Sequence, residues 1–283
     1  MPELPEVETV KRGLKPFLEG AEIKNVLINR PDLRWPFPFR MRQRLEGKKI
    51  LSLRRRSKYL LIDLSSEETL LIHLGMSGRL FLSKRNTARF VYEKPSNQKH
   101  DHVLFYLDNS YCITFNDPRR FGAMDLFSTE KADEHNLLKR LGPEPQDKNC
   151  ETNLFFRKIK NKKSPIKSVL LNQEIVSGLG NIYVCESLFR AGIAPNSLAC
   201  SLSIYKLKIL FTHIRKILLE AIDAGGSTLK DFRNSDGELG YFQFNFNVYG
   251  REGAQCRKKN CRKNIKRVVQ SGRSTFYCPR CQR

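Results

Sequence analysis

Met1-Pro2-Glu3-Leu4-Pro5-Glu6-Val7-Glu8 opens the chain with three glutamates and no basic residue, although the whole protein carries a formal charge of +22. Two readings compete for this stretch. In one it starts a helix, with Pro5 in the first turn and acidic side chains complementing the positive end of the helix dipole. Val7, Val10 and Leu14 then recur at helical spacing, and Pro16 and Gly20 are expected to end the helix after Lys15. In the other, removal of Met1 ahead of a small residue leaves Pro2 as a free secondary amine beside Glu3 and Glu6. An α-amine titrates at about 8, so a useful fraction is nucleophilic near neutrality. Attack of a secondary amine on a sugar C1′ gives an iminium, an electron sink for elimination. On eight residues alone the helix start is the stronger reading, and the rest of the chain must decide.

The composition of the 283 residues, 40% apolar and 28% charged, fits a folded protein of about two domains. No run of 18 uncharged apolar residues exists, which excludes a spanning helix. The start lacks a basic-then-apolar signal, so a cytoplasmic address is expected. An excess of 51 Lys and Arg over 29 Asp and Glu asks for a polyanionic partner. Nucleic acid fits best, because neutralising phosphates releases counterions, and no basic amphipathic helix favours a membrane surface instead.

Outward from the opening helix, eight β-type segments follow: Glu22–Asn29, Ile50–Arg56, Tyr59–Leu64, Thr69–Leu74, Gly78–Leu82, Val103–Leu107, Tyr111–Phe115 and Ala123–Phe127. Short strands at this spacing predict a sandwich or barrel. The polar tract Lys84–Lys99 reads as a surface loop. Character changes after Ser128, and Leu141-Gly142-Pro143-Glu144-Pro145 looks like an inter-domain joint. Asn153–Lys160, Pro165–Leu171, Ile182–Ala191 and Ser201–Ala224 favour helix, Gly225-Gly226 ends the last of these, and Ser235–Tyr241 is expected to be mobile. The resulting division is 1–130, a joint at 131–145, a helical part at 146–250 and a tail at 251–283. No internal repeat is present.

Cys112, Cys150, Cys185 and Cys200 are scattered and read as reduced thiols of an intracellular protein. The other four cysteines form Cys256-x4-Cys261-x16-Cys278-x2-Cys281. Two cysteine pairs at that separation predict one tetrahedral zinc, and four thiolates leave no open position, so the metal is structural. Between the pairs, Val268-Val269-Gln270-Ser271-Gly272-Arg273 reads as a hairpin presenting an arginine to phosphates or a groove. Gly178-Leu179-Gly180-Asn181-Ile182-Tyr183 is a glycine-rich turn into a helix, a phosphate site or a plain helix corner. The basic run Arg157–Lys167 beside it is a solvated face or a phosphate contact. His73-Leu74-Gly75-Met76-Ser77-Gly78 and Asn116-Asp117-Pro118-Arg119-Arg120-Phe121-Gly122 put Met76 and Phe121 on tight turns. These are core residues, or wedges filling the gap left when a base is extruded. Lys58, after Arg54-Arg55-Arg56, is a strand end or a phosphate ligand.

As a set, these stretches together with Lys58-Tyr59-Leu60-Leu61 and Lys99-His100-Asp101-His102 resemble bacterial formamidopyrimidine-DNA glycosylases along nearly the whole chain. The resemblance implies an α+β fold: an N-terminal helix and eight-stranded β-sandwich, then a helical domain with a helix–two-turn–helix motif and a zinc-finger β-hairpin. It implies a monomeric, nucleoid-associated enzyme that excises 8-oxoguanine and formamidopyrimidines from double-stranded DNA and cleaves the strand. By motif, Pro2 is the Schiff-base nucleophile, Glu3 the general acid that opens the sugar ring, and Glu6 its support. Lys58 corresponds to the β-elimination residue and Arg273 to the δ-elimination residue. His100, Arg119, Lys163 and Asn181 correspond to DNA contacts, and Met76, Arg119 and Phe121 to the residues filling the vacated stack. The family's first zinc knuckle has two intervening residues and here there are four, which bears on the hairpin's local geometry. Two other readings stay open: an endonuclease VIII-like enzyme for oxidised pyrimidines, and a non-catalytic zinc protein that binds damaged DNA.

Overall fold

The computed structural model describes residues 2–84, 98–147, 152–227 and 241–283. Most of the polar 84–99 tract, Cys150 and 235–240 lie outside the described residues. The chain divides into two compact units, Met1–Lys139 with Ala224–Tyr241, and Arg140–Asp223 with Phe242–Arg283.

The first unit starts with helix α1, Leu4–Leu18. Its entry is fixed by a reciprocal capping box: Glu3 accepts from the Glu6 backbone, and Glu6 Oε2 accepts the Glu3 N–H at 2.8 Å. Val7, Val10, Leu14 and Leu18 are all buried, as the helical spacing requires. The helix passes through Pro16 instead of stopping there, which corrects the sequence expectation. Proline removes one hydrogen bond in the last turn, but the Glu19 N–H still reaches the Lys15 carbonyl at 3.1 Å and buried Leu18 holds that turn on the core.

Eight strands follow: β1 Ile23–Ile28, β2 Ile50–Arg56, β3 Tyr59–Leu64, β4 Glu68–His73, β5 Arg79–Lys84, β6 Asp101–Leu107, β7 Tyr111–Asn116 and β8 Ala123–Ser128. They form two four-stranded antiparallel sheets, ordered β1-β6-β7-β5 and β2-β3-β4-β8. Both sheets and α1 contribute to one continuous apolar core, from Val7 and Leu14 through Ile62, Leu70 and Ile72 to Phe105 and Phe115. This is the expected sandwich. A five-residue helix, α2 Met41–Leu45, has no counterpart in the sequence reading; it is too short to show periodicity, yet it buries Met41 and Leu45.

The second unit holds α3 Thr152–Lys160, α4 Ile166–Leu171, α5 Asn181–Ala191 and α6 Ile204–Asp223, then the hairpin of β9 Lys266–Gln270 and β10 Arg273–Tyr277. Helix α6 starts later than the sequence suggests, because Ala199–Ser201 makes a separate tight turn and the Ser203 hydroxyl then accepts the Lys206 N–H at 3.2 Å. Gly142 and Pro143 lie in this unit, where the Gly142 N–H donates to the Gln173 carbonyl and the Pro143 carbonyl accepts the Ser177 N–H. No helix among the described residues is long and apolar enough to cross a membrane.

Candidate functional site

In the first unit the opening stretch is folded inward. Pro2 is buried, and Glu3 and Glu6 are each 2% exposed. Glu6 uses both carboxylate oxygens: Oε2 holds the Glu3 N–H, while Oε1 accepts the backbone N–H and the hydroxyl of Ser227, each at 2.8 Å. A Cβ added at Gly226 would stand 3.3 Å from the Glu6 side chain, so the segment lies directly on it. One carboxylate therefore fixes the start of α1 and the chain entering position 227.

The two glycine-flanked loops meet. Asp117, fully buried, accepts the Ser77 hydroxyl on Oδ1 at 2.5 Å and the Gly122 N–H on Oδ2 at 2.7 Å. Its backbone N–H reaches the His100 carbonyl at 3.0 Å, tying in the residue singled out before β6. Gly75 sits at φ +64°, where a Cβ would come within 2.4 Å of the Phe121 backbone, so only glycine lets the loops close. Met76 and Phe121 remain 38% and 44% exposed despite their size, and the Arg119 guanidinium lies 4.8 Å from the Phe121 ring centroid. Apolar wedges facing solvent, braced by a stacked arginine, are poor core residues and good fillers for a gap between bases.

These three residues border a cavity of about 610 Å³ that is also lined by Arg34 and His73. Sequence reasoning passed over both. His73 was visible in its motif, but its setting was not: burial, with the cations of Lys58 and Arg34 nearby, pushes its pKa down to about 4. It is a neutral imidazole beside a basic cavity. Lys58 itself is 7% exposed, on the turn between β2 and β3.

In the second unit Asn181 opens α5, and its Nδ2 donates to the Ser274 carbonyl at 2.8 Å, next to exposed Arg273. The same carbonyl and the Thr275 hydroxyl accept from Lys167 Nζ at 3.2 and 2.6 Å. Lys167 is wholly buried and its pKa is lowered, first by desolvation and then by Arg273, with the Cys185 thiol opposing. In the sequence it was one of a basic run, with nothing to mark it as internal. Lys163 is exposed between α3 and α4. Ser271 and Gly272 both have positive φ, 50° and 69°, the geometry of a tight two-residue hairpin turn, with Arg273 the first strand residue after it.

The four cysteine sulfurs of the tail lie within 4.8 Å of one another, with Cys256 to Cys281 at 3.9 Å and Cys261 to Cys278 at 3.6 Å. A tetrahedron of thiolates about 2.3 Å from zinc has edges of about 3.8 Å, so the residues fit that ion. The long first knuckle is absorbed by a turn in which the Cys261 N–H reaches the Lys258 carbonyl and Asn260 adopts φ +63°. The hairpin keeps an unbroken five-pair register.

Profiles of three domains match the chain: the formamidopyrimidine-DNA glycosylase N-terminal domain over residues 1–124, its H2TH domain over 141–233, and a zinc finger found in FPG and IleRS over 256–283. The chain belongs to the formamidopyrimidine-DNA glycosylase family. Formamidopyrimidine-DNA glycosylases of Ruegeria pomeroyi and Roseobacter denitrificans are each 59% identical over 283 residues, covering all of both chains. The crystal structure of the MutM (Fpg) protein of Thermus thermophilus superposes with a TM-score of 0.86 at 38% identity, covering 99% of this chain and 98% of that one. A Lactococcus lactis Fpg complexed with abasic-site DNA gives 0.87 at 34% identity, covering 99% of each. Family membership also accounts for the zinc finger and the β-sandwich with its helical partner.

Proposed function

We propose that this protein excises oxidised purines, 8-oxoguanine and formamidopyrimidines, from double-stranded DNA and then cleaves the strand at the abasic site. The observation that carries this reading is the burial of Pro2 with Glu3 and Glu6 at the head of α1. Acidic residues of a helix's first turn are ordinarily left in water, and here two carboxylates are buried beside Pro2. The Lactococcus lactis Fpg has been crystallised with abasic-site DNA and, as a mutant, with Fapy-dG DNA, which supports the substrate class.

In this reading, loss of Met1 frees the Pro2 amine, which attacks C1′ of the everted nucleotide as the base departs. Glu3 delivers a proton to the ring oxygen, opening the sugar and leaving an iminium on Pro2. The iminium acidifies C2′; loss of that proton expels the 3′ phosphate, with Lys58 gripping the neighbouring phosphate. A second elimination releases the 5′ phosphate, with Arg273 as its counterpart. Glu6 holds the Glu3 backbone so that the acid faces the sugar. Met76, Arg119 and Phe121 fill the vacated stack, while His100, Lys163 and Asn181 bind the DNA backbone. Bound zinc clamps the hairpin and supplies no chemistry; Cys256, Cys261, Cys278 and Cys281 hold it. Residues 1–130 carry the nucleophile, the acid and Lys58, 146–250 and 251–283 grip DNA with Arg273 serving the second elimination, and the enzyme works as a monomer at the nucleoid in the cytoplasm.

The test is borohydride trapping. A covalent complex should form with 8-oxoguanine duplex, and Pro2→Gly should sharply reduce it. Efficient trapping on thymine glycol duplex but not on 8-oxoguanine would establish the endonuclease VIII-like reading instead. No trapping on any lesion would leave a damage-binding protein.

A further inference from the structure

The third glutamate of the opening stretch has no part in the reaction just described, yet it is among the most heavily engaged side chains of α1. Glu8 is 8% exposed and its Oε1 accepts from Lys11 at 2.8 Å and Arg12 at 3.1 Å. Its Oε2 accepts Arg55 Nε at 2.9 Å. Burial alone would raise the Glu8 pKa, but the bonds from Lys11 and Arg55 outweigh it and hold the group below its ordinary value. Arg55 extends the connection: its Nη1 donates to the Ser57 carbonyl at 3.1 Å.

Ser57 and Lys58 form the two-residue turn between β2 and β3, closed by the pairing of Arg56 with Tyr59. Ser57 stands at φ +56° with 1% exposure. Glycine is the residue favoured at such a position, and a serine there carries a backbone cost unless its surroundings hold it. The guanidinium on the Ser57 carbonyl is such a hold. The pair is nearly dry, with side-chain exposures of 9% for Arg55 and 10% for Glu8. Ion pairs this deep are weak evidence for stability, and this one joins α1 to the turn after β2.

We propose that Glu8 is a positioning residue for the reaction: acting through Arg55, it fixes the Ser57–Lys58 turn against the helix that begins at Pro2. Glu8 lies five residues beyond Glu3, about 7 to 8 Å along the helix axis. The helix that starts at the amine and the turn that presents the lysine thus move as one piece. The inference rests on the reading of Pro2 and Lys58 as reacting groups.

The experiment uses full-length, zinc-loaded enzyme with Met1 removed and measures single-turnover nicking of an abasic-site duplex. The variants are Glu8→Gln, Arg55→Met and Lys58→Ala, and each of the first two combined with Lys58→Ala. Glu8→Gln and Arg55→Met should each slow nicking about tenfold, but less than about twofold in the Lys58→Ala background, because coupled residues are not additive. Affinity for a duplex with a non-reactive abasic analogue should change by less than about twofold, placing the loss in the chemical step. Equal slowing in both backgrounds would mean a general structural role and overturn the proposal, as would no slowing. Unchanged nicking by Lys58→Ala would overturn the reading of Lys58 and this inference with it, whereas a slow Lys58→Ala with a normal Glu8→Gln overturns the inference alone. If Glu8→Gln is not recovered folded, the Arg55→Met cycle decides by the same criteria.

Discussion

Glu186→Gln should loosen the zinc-finger unit by about 3 kcal/mol while barely changing side-chain volume. Glu186 lies on α5 with 1% exposure, and its carboxylate caps a bend of backbone that leads into the finger. Oε1 accepts the N–H groups of Asn247, Val248 and Tyr249 at 3.0, 2.8 and 2.8 Å; Oε2 accepts the Asn247 N–H and Nδ2 at 2.9 and 3.2 Å. A glutamine can place its carbonyl at the first position and keep those three bonds, but as neutral bonds of roughly half the strength. Its NH₂ then faces the two Asn247 donors. Weakening three bonds by roughly 0.5 to 1 kcal/mol each and facing donor with donor gives about 3 kcal/mol. Global unfolding of a two-unit chain mixes the contributions of both units, so a readout local to this one is needed. Zinc release into a chromogenic chelator reports opening of this unit directly, and 3 kcal/mol corresponds to about a hundredfold faster release. Release within about threefold of the parent enzyme would refute the claim that this carboxylate holds the finger in place.

Cys278→Ser, or chelation of zinc, should weaken lesion-duplex binding at fixed salt, because the metal holds the hairpin bearing Arg273; an unchanged dissociation constant after verified zinc loss contradicts this. His73, held down to about 4 against about 6.5 when unfolded, lets the unfolded chain take up the proton first. Stability present above pH 6.5 should therefore fall as pH drops towards 4, by about 3 kcal/mol from this group. His102 and His213, whose pKa values are also lowered by burial, act in the same direction. Urea titrations at neutral and acid pH should show a shallower pH dependence for His73→Gln, and an identical one would rule out His73 as the source. Gly75→Ala forces a Cβ to within 2.4 Å of the Phe121 backbone. It should cost about 2 to 3 kcal/mol or more and impair lesion binding, as read by thermal unfolding and duplex titration.

Much of the fold was legible because its signals are local. Short runs rich in Val, Ile, Leu, Phe and Tyr between turn signals placed all eight sandwich strands, with ends no more than two residues off. The cysteine spacing placed a metal shell that the sulfur positions fit. What the sequence hid was tertiary. Helix α1 runs past Pro16 because the core holds Leu18, which no helix-stop rule weighs. Lys167 looked like one more surface cation in a basic run, and only the fold turns it inward against Thr275. His73 was in view, but a depressed pKa depends on burial and on two cations distant in sequence.

The tertiary contacts within each unit have a common physical form. Glu6, Asp117 and Glu186 are buried carboxylates that accept backbone N–H groups: Glu6 those of Glu3 and Ser227, Asp117 that of Gly122, Glu186 those of Asn247 to Tyr249. Ser227 and Asn247 lie 221 and 61 residues from their acceptors, so no local pattern announces them. Each secures a segment that strand and helix ladders leave unpaired: the head of α1 with position 227, the wedge loop, and the entry to the finger. A buried carboxylate suits this task because two oxygens offer about four acceptor sites, and a buried N–H left without a partner costs about 1 to 3 kcal/mol. In a chain of +22, such acidic residues are the ones to examine first for positioning. Their removal should disturb geometry before it disturbs charge, which is why isosteric Glu→Gln changes are more telling here than truncation to alanine.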